Sequence, residues 1–214
     1  FFIVTPPAAT VERSWKRGLQ TGRFKAVDDL LYHNIEAYNG MPNLFFPTVL
    51  SATKKTHFEF LDNSVPLGSE PRTIAFGWNG RMIILDLAKL NDIDRFRQVD
   101  VAARRPEDVL PPDPSDSFAF IGSCLRRIPD VTLADHATGR AYGRLRDGAW
   151  IYRATPEALP FPADSLEMRC LDALGWGPPL DTDGTGPPVL DLAAERGVTL
   201  GAWGPSGIAE PVGP

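Results

Sequence analysis

Cysteine, histidine, long apolar runs and an excess of positive charge are all scarce in this sequence. Its 214 residues include two cysteines and three histidines, and the formal net charge is −5. Proteins that bind nucleic acid or anionic lipid without specificity need a positive excess, so the charge argues against both partners. The longest apolar runs, residues 1–4 and 82–85, are far shorter than the ~20 residues that cross a bilayer. We therefore expect a soluble folded protein with no membrane partner.

Motifs of metal, nucleotide and serine-nucleophile sites are also missing. None of the histidines His33, His57 and His136 lies in a spacing that presents metal ligands together. Residues 181–184 resemble the start of a calcium loop, but the closing glutamate of such a loop is missing. No glycine-rich phosphate loop and no nucleophile elbow occurs. The sequence thus predicts neither a metal nor a cofactor.

The two cysteines, Cys124 and Cys170, lie in segments with the apolar spacing of amphipathic helices. Buried free thiols are common at such positions, so we expect both to be free. A disulfide and a reactive thiol are the alternatives. So few cysteines favour a reducing compartment, and we expect a cytoplasmic protein.

Apolar residues at helical spacing predict two helices in the first forty residues. The first follows the N-cap residue Thr10 and ends at Gly22. Its apolar stripe should face a core and consists of Val11, Trp15 and Leu19. The second helix carries apolar residues through 27–38, and the Asn-Gly pair at 39–40 should end it.

Two more helices are predicted in the second half of the chain. One should open at residues 113–116, where acids and a proline suit a first turn, and should end before Pro129. Its core side should consist of Phe118, Ile121, Leu125 and Ile128. The other should run from a capping box at residues 164–167 to Gly175. Residues 92–112 are predicted as a connector with at most a short helix or strand.

Alternating apolar residues and two glycine turns predict the strands. Residues 45–50 and 57–61 should form short strands. Residues 72–87 should form a hairpin around an Asn-Gly turn, with three cross-strand pairs on one face: Ile74 with Leu85, Phe76 with Ile83, and Trp78 with Arg81. Residues 140–153 should form a second hairpin around an Asp-Gly turn, and residues 133–137 a further strand.

These elements predict an α+β fold, in which an antiparallel sheet built from hairpins has helices packed on one side. We divide the chain into an α+β body at residues 1–128, a hairpin and helix extension at 129–176 that packs on the body, and an arm at 177–214. The arm is dense in glycine and proline, and only residues 189–196 resemble a helix and 198–200 a strand. It should pack on the body or on a partner.

The second hairpin carries the candidate binding residues. A period of two along a strand places four of them on one face, with Arg153 opposite Tyr142; the four are Arg140, Tyr142, Arg144 and Arg146. Guanidinium groups bind carboxylate and phosphate and stack on rings, so this face suits phosphate, RNA or an acidic protein surface. The alternative is an ordinary solvated strand face.

Three segments together resemble the SMI1/KNR4 (SUKH) superfamily. They are the helix that ends at residues 38–40 (YNG), the hairpin at 74–86 (IAFGWNGRMIILD) and the segment 115–121 (SDSFAFI). Their order and rough spacing are similar to the family's helix, glycine-turn strand pair and late helix, over about residues 10–128. The resemblance implies an α+β binding scaffold without catalysis, in bacteria often an immunity protein that covers the active face of a toxin.

We therefore favour a non-enzymatic protein-binding module of the immunity or adaptor type, with a protein as its partner. The first alternative is an enzyme with a dispersed active site, since hydrolases and enzymes of glycosyl or ADP-ribosyl transfer often leave no local motif. Its candidate residues would be His57, Glu59, Tyr152 and Arg153. The second alternative is a structural component of a phage or secretion assembly, which would explain the arm.

Overall fold

A computed structural model describes residues 1–53, 56–66, 68–110 and 117–177. Within these ranges the strands are β1 (Phe2–Val4), β2 (His57–Asp62), β3 (Arg72–Trp78), β4 (Arg81–Ile84), β5 (Asp130–Ala134), β6 (Ala141–Arg146) and β7 (Ala149–Arg153). The helices are α1 (Pro7–Thr21), α2 (Val27–Val49), α3 (Leu87–Arg95), α4 (Ala119–Arg127) and α5 (Leu166–Ala173). The predicted α+β class is confirmed.

The seven strands form one mixed sheet in the order in which they occur in the chain. β1 pairs with β2 in parallel, and so does β4 with β5, while the other neighbours are antiparallel. The prediction of a purely antiparallel sheet is therefore wrong. Both parallel pairs are joined by long helical connections, α1 with α2 and α3 with α4, which return the chain to the same end of the sheet.

The two glycine turns are confirmed. Their residues have the positive φ angles of two-residue hairpin loops: Asn79 (37°), Gly80 (77°), Asp147 (50°) and Gly148 (79°). The structure contains two of the predicted cross-strand pairs, Phe76 with Ile83 and Trp78 with Arg81. Ile74 does not share a face with Phe76, because a bulge in the pairing of β2 with β3 leaves Ile74 as the extra residue.

Helix α2 passes through the predicted stop at residues 39–40, and the predicted strand at 45–50 is wrong. Pro42 has no N–H to donate to the carbonyl of Tyr38, which would normally break the helix. The Arg97 Nε donates to that carbonyl instead, at 3.1 Å. Phe45 and Phe46, 0% and 1% exposed, then pack in the core. Tertiary contacts thus stabilise a helix across its prolines.

Other boundaries also differ from the prediction. Helix α3 lies partly in the predicted connector, and its N-cap is Asp86, whose side chain accepts the N–H of Lys89. Strand β5 begins earlier than predicted and ends at Ala134. The N-cap of α5 is Ser165. Helix α4 begins at Ala119, and the predicted opening at 113–116 lies outside the described residues.

The two faces of the sheet carry separate apolar clusters. The larger cluster joins strand residues to α2, α3, α4 and α5, so we call this side the helix-covered face. The smaller cluster lies on what we call the second face and consists of Phe76, Trp78, Ile83, Leu85, Ala134 and Ala141. The Asp130 N–H donates to the Gly80 carbonyl and β5 pairs with β4, so residues 129–176 and residues 1–128 share one sheet. The division between these segments stays a prediction.

Both cysteines are free and buried, as predicted. Burial raises the pKa of the Cys170 thiol to about 12, so its thiolate is scarce at neutral pH. Neither sulfur is therefore placed for nucleophilic chemistry. Within the described ranges, no helix is both long enough and apolar enough to cross a bilayer.

Candidate partner-binding surfaces

The predicted hairpin residues do not all share a face, because β6 contains a bulge. Leu133 pairs with Gly143 and Ala134 with Ala141, so Tyr142 is the extra residue. A bulge directs two successive residues to one side. Tyr142 accordingly points to the helix-covered face, where it is 4% exposed and its ring lies 5.3 Å from that of Phe161. The predicted period of two is wrong here.

Arg144 and Arg146 do share the second face, and both contact Asp130 on the neighbouring strand. Arg144 donates to this carboxylate through Nε at 2.8 Å and Nη2 at 2.6 Å, in a bidentate pair. Arg146, whose side chain is 54% exposed, approaches it at 3.5 Å. Arg81 of β4 also lies 3.7 Å from it. We call these three arginines and Asp130 the arginine cluster.

The arginine cluster holds its carboxylate ionised. Burial of Asp130 would raise the pKa of its carboxyl, but the hydrogen bonds and charge of Arg144, with the charges of Arg81 and Arg146, outweigh that effect. The pKa of Asp130 is therefore lowered. Three guanidinium groups around one carboxylate leave a formal charge of +2 on this part of the second face.

The remaining two predicted residues lie apart from the arginine cluster. Arg140 is exposed in the turn that precedes β6. Arg153 pairs with Gly143 and lies on the helix-covered side, with its guanidinium carbon 6.0 Å from the Trp150 ring centroid. The structure thus brings together Arg144 and Arg146, adds Arg81, and separates the others. A role of the five residues in partner binding stays a prediction.

The candidates for a dispersed active site are also separated. His57 and Glu59 lie on β2, and Tyr152 and Arg153 on β7. Five strand spacings of ~4.8 Å separate these strands, which amounts to about 24 Å. The carboxylate of Glu59 accepts a hydrogen bond from the Thr73 hydroxyl. The four side chains therefore form no common site.

The carboxylates with raised pKa values lie inside the helix layer. Burial raises the pKa of Asp92 to about 6, although Lys89 and Arg95 lie nearby. Burial also raises the pKa of Asp94, which accepts the Phe120 N–H at 2.8 Å. In the described part of the chain, no group of three or more acidic, histidine or cysteine residues could hold a metal ion. Asp94 thus joins α3 to α4, whereas the ion pairs of Asp92 with Lys89 and Arg95 lie within α3.

Helix α1 presents a group of exposed apolar side chains. Trp15 and Leu19 are 58% and 66% exposed, so the prediction that this stripe faces a core is wrong. Phe24, 54% exposed, lies with its ring centroid 5.0 Å from that of Trp15. Val27 at 48% exposure continues the surface. We call these four residues the aromatic ridge.

The chain after α1 is bent so that Phe24 returns to the helix. Gly22 has a φ of 70°, and its N–H donates to the Gly18 carbonyl, which ends α1 in a left-handed turn. A Cβ at Gly18 would lie 2.5 Å from the Phe24 ring. The absence of a side chain at Gly18 therefore allows this ring to lie on the helix beside Trp15.

Two concave regions border the aromatic ridge. A hollow of about 720 Å³ lies on the Phe24 side, where its cations are Arg17, Arg23 and Lys25. A groove of about 410 Å³ lies on the Trp15 side, between α1, α2 and the segment that contains Pro106 and Val109. An aromatic ridge between a basic hollow and an apolar groove offers both ionic and apolar contacts to a partner.

Sequence reasoning found the stripe of α1 but assigned it to a core. A signal was present, since Lys16, Arg17 and Arg23 surround a stripe of only three apolar residues. A basic amphipathic helix of this composition is typical of interaction surfaces.

Comparison with protein-family models, curated proteins and solved structures finds no match to this chain. The fold therefore defines it as an α+β protein with a seven-stranded mixed sheet, and its function is inferred from its own surfaces.

Proposed function

We propose that this protein is a non-enzymatic protein-binding module, and that the aromatic ridge is its contact surface. The observation that carries the proposal is the exposure of Trp15, Leu19 and Phe24 on one continuous surface, at 58%, 66% and 54%. Exposed apolar surface costs free energy in water, and burying it against a partner recovers that energy. Tryptophan and other aromatic residues are enriched at the centres of such interfaces.

The ridge also favours a chemistry for the partner. Apolar side chains would occupy the groove beside Trp15, and carboxylates would meet the cations Arg17, Arg23 and Lys25 in the hollow. A protein segment that combines aliphatic and acidic residues satisfies both regions. A protein partner is also what the sequence resemblance implies, since that family is a binding scaffold without catalysis and in bacteria is often an immunity protein.

Quantitative affinity capture from the native host tests the proposal with a matched pair of variants. Leu19→Ser changes the ridge, whereas Leu44→Ser changes a leucine of nearly equal exposure, 66% against 65%, that lies in α2 and is not part of the ridge. We expect Leu19→Ser to reduce recovery of one dominant partner and Leu44→Ser to leave it unchanged. With the purified partner, Trp15→Ser should weaken Kd about thirtyfold, which corresponds to roughly 2 kcal/mol.

A third bait separates the ridge from the hairpin. A variant with Arg140, Arg144 and Arg146 changed to Glu removes the predicted arginine site. Loss of the partner in this variant alone would place recognition on the hairpin and contradict the ridge. Equal recovery with all baits would contradict both surfaces. Circular dichroism of each bait checks that it remains folded.

A further inference from the structure

The second face of the sheet is buried, although the described helices lie on its other side. Phe76 and Ile83 are 1% and 0% exposed, and Trp78 is 8% exposed. Their cluster contains no side chain from a helix of the described ranges. Side chains stand roughly perpendicular to a sheet, so an uncovered face leaves their outer atoms in water. A covering layer is therefore required on this face.

The arginine cluster borders that apolar surface. Ile83 pairs with Thr132, and Thr132 pairs with Arg144, so the three side chains follow one another across the same face. Trp78 pairs with Arg81, whose guanidinium carbon lies 5.4 Å from the centroid of the tryptophan ring. The layer that covers this face thus meets an apolar centre with a positively charged border.

The longest tract outside the described ranges has the matching composition. Residues 178–214 contain five acids and one arginine, for a formal charge of −4. Within this tract, residues 189–200 hold seven aliphatic residues that could cover an apolar face: Val189, Leu190, Leu192, Ala193, Ala194, Val198 and Leu200. The same stretch carries Asp191 and Glu195, four residues apart, and also Arg196, so its formal charge is −1. An apolar segment with two carboxylates complements the second face in hydrophobicity and in charge.

The last described residue, Gly177, lies close enough to the second face for the following residues to reach it. Gly177 lies beside Arg153 of the edge strand β7, since a Cβ at Gly177 would be 2.8 Å from the Arg153 Nη1. Four strand spacings, about 19 Å, separate β7 from β3, which carries Phe76 and Trp78. Residues 178–188 span up to about 36 Å when extended. Residue 189 can therefore reach the centre of the second face.

We propose that residues 189–200 of this same chain lie on the second face, with their apolar side chains on Phe76, Trp78 and Ile83 and their carboxylates beside the arginine cluster. This inference does not depend on the proposed function, because the aromatic ridge lies on the helix side. It implies that, in the monomer, Arg144 and Arg146 bind an internal acidic segment before any external one.

Photo-cross-linking in the full-length chain tests this placement. p-Benzoylphenylalanine replaces Trp78 or, as a second position, Glu59, which pairs with Phe76. After irradiation of dilute protein, peptide mass spectrometry should find an intramolecular cross-link to residues 189–200. The same probe at Trp15 should give none. A cross-linked dimer would identify a second copy as the covering layer and overturn the proposal, as would cross-links to strand neighbours alone.

A charge exchange tests the electrostatic part. Asp191→Lys with Glu195→Lys should lower the yield of the intramolecular cross-link severalfold, because both lysines would then face the arginine cluster. Adding Arg146→Glu to that variant should restore part of the yield. An unchanged yield in the lysine variant would overturn the proposed contact of these carboxylates with the arginines.

Discussion

Helices α1 and α4 have similar apolar periodicity but opposite surroundings. The stripe of α4, from Phe118 through Ile121 to Ile128, is at most 6% exposed and belongs to the main core, as predicted. In the stripe of α1, Trp15 and Leu19 are more than half exposed. Periodicity determines which residues share a helix face. The comparison shows that it does not determine whether that face meets the core or the solvent.

The difference in exposure arises from the part of the fold on which each helix packs. Both helices lie in connections between parallel strands, but the apolar side of α4 packs in the core on the helix-covered face of the sheet. Helix α1 lies outside α2, and its buried residues are Pro7 and Gly18. The apolar side of α1 is therefore left exposed, and the following predictions test this contrast from the largest expected effect to the smallest.

The largest effect is expected for Phe120→Ala in α4. Phe120 is 2% exposed, and its ring lies 5.6 to 5.8 Å from those of Phe45, Phe46 and Phe60. Removing a buried ring from such a cluster should lower the free energy of unfolding by about 3–5 kcal/mol in urea titrations. A loss below about 1 kcal/mol would contradict the contrast between the two helices.

A pH-dependent effect is expected from Asp92 of α3, which packs beside α4. Its folded pKa of about 6 lies above the unfolded value near 3.9, so the folded state favours the protonated carboxyl. Stability should fall as pH rises from about 4 to 6, by at most about 3 kcal/mol. Asp92→Asn should remove this loss and be the more stable protein at pH 7.5. The matched change on α1, Glu12→Gln, should not alter this pH dependence. Equal curves of unfolding free energy against pH for Asp92→Asn and wild type would contradict the prediction.

A smaller effect is expected at the start of α4. The side chain at the N-cap position, that of Phe118, has no hydrogen-bond acceptor, and Asp94 of α3 accepts the Phe120 N–H instead. Asp94→Ala should lower the free energy of unfolding by about 1–2 kcal/mol, because this donor loses its acceptor. Asp94→Asn keeps an acceptor and should cost less. Equal losses in the two variants would show that the contact itself is unimportant.

The smallest effect on stability is expected for Leu19→Ser in α1. Its side chain is 66% exposed, so the free energy of unfolding should change by less than about 1 kcal/mol. Thermal unfolding measures this directly, with Leu44→Ser as the control. A loss comparable to that of Phe120→Ala would mean that the ridge is part of the fold rather than a contact surface.

Much of the local structure could be predicted from the sequence because it depends on near neighbours. The Asn-Gly and Asp-Gly turns set their hairpins, and Gly22 ends α1, since only certain residues adopt positive φ easily. The course of α2 could not be predicted in this way. Its continuation past Pro42 depends on Arg97, which lies 59 residues from Tyr38 in the chain.

The candidate site was predicted only in part for a similar reason. The pairing of Arg144 and Arg146 on one face follows from the alternation of a strand. The inward turn of Tyr142 follows from a bulge that the pairing with β5 imposes, and Arg81 joins the cluster because β4 and β5 run parallel. The residues of β6 contain no local pattern that predicts the bulged pairing with β5 or the parallel pairing of β4 with β5.

The sequence by itself determined the α+β class, the two glycine-turn hairpins, the core side of α4 and the two free cysteines. These depend on backbone preferences and on burial of apolar side chains at regular spacing, which act over a few residues. Only the tertiary structure decided that two strand pairs are parallel, that three arginines meet Asp130, and that the α1 stripe faces outward. Those outcomes depend on which distant segments become neighbours, and the same short pattern is compatible with more than one of them.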